Sequence, residues 1–93
     1  MKQKKLSDEE IENSLADLND WKAENGNLKK HFEFKNFAES LDFVNRVGAI
    51  AEQRDHHPDV SFGWGYAEFS ITTHDTGGLT NNDFDLATAI ENL

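Results

Sequence analysis

Cysteine is absent from the 93 residues, and proline and methionine occur once each. Without thiols there is no disulfide framework, no thiolate zinc site and no cysteine nucleophile, which fits a reducing compartment. No apolar run approaches the roughly 18 residues of a membrane span. The basic opening "MKQKKLSDEE" leads into no apolar segment of a secretory signal. The expectation is a soluble, cytoplasmic protein with no membrane partner. Positive charge is scarce too: the net charge is −9, and from Glu52 to Leu93 eight acidic residues stand against one basic residue, Arg54. Such a surface repels phosphate backbones, which argues against nucleic acid and dinucleotides as ligands. A neutral small molecule is easier to accommodate.

A chain of this length does not divide into two cores, so residues 1–93 are read as one domain of modest stability, which self-association would raise. Ser7 with Glu10 forms an S-x-x-E capping box, and Ile11, Leu15 and Leu18 give a short amphipathic helix over 7–19. The basic stretch 1–6 is expected to fray. Asn25-Gly26 is a type I′ hairpin signal. After it Leu28, Lys30, Phe32 and Phe34 alternate inward. Asn36 with Glu39 opens a longer helix, about 37–53, with Phe37, Leu41, Val44, Val47 and Ala51 on its inner stripe. Pro58 is expected to end it.

Two short β-runs follow, "DVSFGW" and "YAEFSITT", with Gly63 and Gly65 marking the turn. In the second, Ala67, Phe69 and Ile71 alternate inward. Thr80 and Asp83 form a T-x-x-D start for a last helix, with Phe84, Ala87 and Ile90 facing in. The order α-β-β-α-β-β-α predicts an α+β fold: a four-stranded antiparallel sheet with helices packed on one face.

"RDHHPDVSFGWGY" carries the chemistry. Metal-binding histidines sit at i and i+4 on a helix or alternate on a strand, so that both rings point the same way. Adjacent histidines diverge, so no metal site is assigned to His56 and His57. General acid–base work needs no such convergence, only two groups on different edges of a substrate, and imidazole titrates near neutrality. For an arbitrary His-His pair the plain reading is a polar helix end before proline. The surrounding pattern changes that reading.

Glu52, His56-His57-Pro58, Trp64, His74 and Asp83, at their spacings, resemble the signature of the pterin-4a-carbinolamine dehydratases. The resemblance extends to Trp21 ahead of the hairpin and to "THDTGGLTNNDFDLA", and covers nearly the whole chain. It implies dehydration of 4a-hydroxytetrahydropterin, formed by aromatic amino-acid hydroxylases, to quinonoid dihydropterin and water. The pterin is then the substrate, and no cofactor is implied. By the same resemblance His56, His57 and His74 are the catalytic set, with His56 and His57 transferring protons. Pro58, Asp83, Trp21, Trp64 and Glu52 are substrate-binding candidates.

Each has a plainer alternative. Asp83 completes a helix cap, Glu52 is a surface carboxylate, and tryptophans on amphipathic strands are more often core. His31 matches no signature position and reads as an exposed strand residue. Animal members carry a W-x-x-x-Y-N-K-like segment after HHP, where this chain has "DVSFGWGYAEFSITT", with glycines in place of bulk. The resemblance also implies a homodimer or homotetramer. It allows a competing, non-catalytic role, because animal relatives act as dimerisation cofactors of a homeodomain protein and some microbial ones accompany molybdenum-cofactor metabolism.

Overall fold

The computed structural model describes residues 4–93. The chain runs α1 (Asp8–Leu15), β1 (Lys22–Glu24), β2 (Asn27–Glu33), α2 (Phe37–Arg54), β3 (Asp59–Gly63), β4 (Tyr66–Ile71), a 3₁₀ turn (His74–Thr76) and α3 (Asn81–Glu91). The four strands form one antiparallel sheet in the order β1-β2-β4-β3. The α+β architecture is therefore the expected one.

Local chemistry explains most boundaries. Ser7 accepts from the Glu10 amide while the Glu10 carboxylate accepts from the Ser7 amide, closing the capping box. Asn25 and Gly26 both take positive φ, 51° and 77°, as the tight turn between β1 and β2 demands. The Asn36 side chain accepts from the Glu39 amide and caps α2.

Three expectations are corrected. The first helix stops at Leu15 rather than residue 19, although Ile11, Leu15 and Leu18 do pack against the core. The start of the chain is also less free than expected. Residues 1–3 lie outside the described part, but Leu6 is buried and its amide donates to the Leu79 carbonyl at 2.8 Å. Finally, α2 ends at Arg54, within a residue of the expected boundary, but the stop is made before Pro58: the cap residue Asp55 is left-handed, with φ of 50°, its amide donating to Glu52 and the His56 amide to Ala51. This is a Schellman-type end with aspartate in the place usually taken by glycine.

Strand alternation separates the two sheet faces. Leu28, Ala67, Phe69 and Ile71 are buried on the helix side with Leu86, Ala87 and Ile90 of α3 and Val47 of α2. Lys29, His31, Glu33 and Glu68 lie exposed on the other face. Lys30 is on the helix side, where it pairs with Glu91 and lies over the Phe32 ring. β3 is thinly covered. Val60 pairs with Phe69 and Phe62 with Ala67, which puts both on the helix side. Yet they remain 41% and 36% exposed, with Phe62 stacked on Phe37 of α2 at 5.9 Å.

Candidate active site

The end of α2, the start of β3, the 3₁₀ turn and the start of α3 meet at one end of the molecule. The left-handed turn at Asp55 lifts the chain off the helix axis, and Pro58 then holds His57 extended as β3 begins. His56 and His57 leave the backbone in different directions and find different carboxylates.

His56 turns inward. Its Nε2 lies 2.6 Å from Asp83 Oδ1; the imidazole is 15% exposed and the carboxylate fully buried. The other carboxylate oxygen, Oδ2, accepts from the Thr80 amide at 2.8 Å and from the Thr73 hydroxyl at 2.9 Å. Thr73 and Thr80 hydroxyls are themselves 2.8 Å apart. One aspartate therefore caps α3, ties down the strand leading to His74, and fixes the His56 ring. A carboxylate is an acceptor only, so Nε2 of His56 carries the proton and Nδ1 is left to face other chemistry. The two alternatives for Asp83, cap or site residue, coexist in one side chain.

His57 turns outward and hydrogen-bonds Glu52, one turn back on α2; both side chains are more than half exposed. This pair orients an imidazole that solvent or a ligand can reach. His74 is exposed at the start of the 3₁₀ turn, directly after the tethered Thr73. The structure thus pairs His56 with Asp83 and His57 with Glu52 on either side of the α2–β3 junction, with Pro58 following and His74 next to Thr73, which Asp83 also holds.

Neither tryptophan lies in that group. Trp21 is buried, edge-on to Phe32, and its indole N–H donates to Glu91 at 2.8 Å. Glu91 is at the opposite end of α3 from Asp83, about 12 Å along the helix. Trp64 is 71% exposed in the β3–β4 turn, at the far end of β3 and roughly 20 Å of extended chain from Pro58. Sequence reading missed Thr73, for which no local signal exists because its partner is ten residues away. It also missed the Trp21–Glu91–Lys30 cluster, which links β1, β2 and α3.

Three concavities, of about 540, 460 and 650 Å³, are lined by other residues, and none of them touches His56, His57 or His74. Among the described residues no group of three or more His, Asp or Glu side chains is placed to hold a metal ion. No described helix is long and apolar enough to cross a membrane.

Comparison with known proteins agrees with the geometry. The family model "Pterin 4 alpha carbinolamine dehydratase" matches residues 4–93. Curated relatives provisionally named pterin-4-alpha-carbinolamine dehydratases include one from Rubrobacter xylanophilus, 46% identical over 95% of this chain and 83% of its own. Another, from Thermosynechococcus vestitus, is 47% identical over 96% and 94%. Among solved structures, a protein from Brucella melitensis described as a transcriptional coactivator/pterin dehydratase superposes with a TM-score of 0.92 at 24% identity, covering 96% of this chain and 97% of that one. A pterin dehydratase-like protein described as a RuBisCO assembly factor of the alpha-carboxysome gives 0.65 at 20% identity, over 77% and 83%. At such identities the two structures speak for the fold alone, whereas the family match and the curated relatives span nearly every described residue. The chain belongs to the pterin 4 alpha carbinolamine dehydratase family.

Proposed function

We propose that this protein dehydrates a 4a-hydroxytetrahydropterin to the quinonoid dihydropterin by histidine general acid–base catalysis. The C4a–O bond breaks and the hydroxyl leaves as water with a proton from one imidazole. The N5–H bond gives its proton to a second imidazole or to solvent, and the C4a=N5 double bond forms. No electrons are exchanged, so the pterin is substrate and no cofactor is required. The observation that carries this reading is the pair of adjacent imidazoles, each anchored through Nε2 by its own carboxylate. Anchoring removes rotational freedom, sets the tautomer, and leaves Nδ1 of each ring for proton transfer. Each well-placed imidazole supplies on the order of 10²–10⁴ in rate. His74 closes the far side of the ring system, with Pro58 and Glu52 lining the approach. The working form is a homodimer or homotetramer in the cytoplasm, acting on the product of an aromatic amino-acid hydroxylase.

Stopped-flow absorbance of 4a-hydroxytetrahydropterin decay tests this directly. The protein should accelerate the spontaneous reaction, and His57→Ala should lose most of that acceleration while staying folded. No acceleration by folded wild-type protein would sink the dehydratase reading. A second reading, a non-catalytic interaction protein, draws on the exposed Phe37, Leu41, Val60, Phe62 and Trp64. It predicts that His57→Ala leaves every function of the protein intact.

A further inference from the structure

Thr73 occupies the cap position of the 3₁₀ turn His74–Thr76, yet its side chain makes no capping bond there. Its backbone serves the turn instead. The Thr76 amide donates to the Thr73 carbonyl at 3.2 Å, and the Thr76 hydroxyl reaches the same carbonyl at 3.1 Å. A threonine at a helix start ordinarily accepts from an amide two or three residues on. Thr80 does so, taking the Asn82 amide at 3.2 Å. The Thr73 hydroxyl is spent elsewhere, on Asp83.

Counting protons gives that contact a direction. A carboxylate only accepts, and a hydroxyl has one proton to give. Thr73 gives its proton to Asp83 Oδ2 at 2.9 Å, so in its 2.8 Å contact with Thr80 it accepts. The Thr80 proton therefore points at Thr73, and a lone pair of Thr80 meets the Asn82 amide. Every bond along Asn82, Thr80, Thr73 and Asp83 runs toward the carboxylate. Thr80 and Asp83 are fully buried, where a hydroxyl aimed the wrong way would go unpaired. With the Thr80 amide at 2.8 Å, Oδ2 holds two donors, and Oδ1 is presented to His56 Nε2 at 2.6 Å. A carboxylate held by one donor can swing about that bond; the second donor stops it.

We propose that Thr73 is a positioning residue of the histidine site. Its hydroxyl fixes the plane of the Asp83 carboxylate and, through it, the His56 ring. Because His74 is the next residue, the same bond keeps His74 in register with Nδ1 of His56. The value of that register for dehydration rests on the function proposed above; the anchoring of His56 does not. A threonine that only stiffened its loop would lower stability when changed, and would leave the His56 imidazole and the turnover of folded protein as they were.

Two substitutions separate these roles. Thr73→Val removes the hydroxyl at nearly constant volume, and Thr73→Ser keeps it. In wild-type protein the His56 Nε2–H should give a slowly exchanging downfield signal in proton NMR, identified by its loss in His56→Gln. In Thr73→Val that signal should broaden through exchange with solvent, and kcat should fall about 10- to 100-fold with KM essentially unchanged. Thr73→Ser should recover the signal and most of the rate. Thr73→Ala, which puts no apolar bulk against the Thr80 hydroxyl, carries the same expectation should Thr73→Val not fold. A wild-type Nε2–H that already exchanges freely overturns the proposal. So does an unaltered His56 signal or wild-type kcat in a folded variant lacking the hydroxyl, or a Thr73→Ser no better than Thr73→Val. Wild-type protein without dehydratase activity would instead remove the function proposed above, and the NMR comparison would still decide whether Thr73 anchors His56.

Discussion

His56 and His57 are adjacent in sequence yet play unequal structural parts. His57 and Glu52 are exposed and hold nothing else together, so His57→Ala should lower kcat by about 10²–10⁴-fold with the thermal midpoint essentially unchanged. Glu52→Gln keeps a hydrogen-bond partner and should lose less. Asp83 is the opposite case. Replacing it with alanine strands the Thr80 amide and the His56 ring and leaves the Thr73 hydroxyl only its Thr80 neighbour. Leaving buried polar groups unpaired costs about 2–4 kcal/mol, which in a domain of this size lowers the thermal midpoint by about 10 °C or more. Calorimetry of the two alanine variants beside their kinetics checks both expectations. Equal destabilisation of the two would contradict this division of roles.

At the scale of the element, the start of α1 carries a pH dependence of its own. The Ser7 amide, and then its hydroxyl and Lys4, hold the Glu10 carboxyl below its usual range. Its folded pKa being the lower one, this contribution is whole above the unfolded value and disappears as pH falls through the folded value. Amide exchange in α1 should therefore stay slow through mild acid and quicken in strong acid, and Glu10→Gln should flatten that dependence. An α1 that loosens toward alkaline pH instead would contradict the assignment.

The elements were legible where they depend on neighbours a few residues away: the Ser7 and Thr80 boxes, the Asn25-Gly26 turn and the inward alternation of β4. The end of α2 was legible in position but not in cause. Pro58 is the louder signal, but the left-handed Asp55 answers to where β3 must begin. The histidine pair was legible through its spacing to Glu52 and Asp83. The positions of Trp21 and Trp64 depend on strand order and on the length of β3, which no local window contains.

For the whole molecule, a net charge of −9 on 93 residues sets copies against one another, and a proposed homo-oligomer has exposed apolar residues such as Val60 and Phe62 to set against that repulsion. Screening relieves the first and leaves the second. Dimerisation should tighten as ionic strength rises from a few millimolar to about 0.15 M, where the Debye length falls to about 8 Å. Sedimentation across that range measures it, and dissociation with added salt would mean that ion pairs, not apolar contacts, join the subunits.

The double duty of Asp83 bears on how such chains can drift. A descendant that gave up its chemistry would still need that carboxylate, because the last helix starts on it. It could shed His57 and Glu52 with no penalty to folding. The solvent-facing histidine–glutamate pair can therefore be changed to test the proposed chemistry without disturbing the start of the last helix, whereas Asp83 cannot.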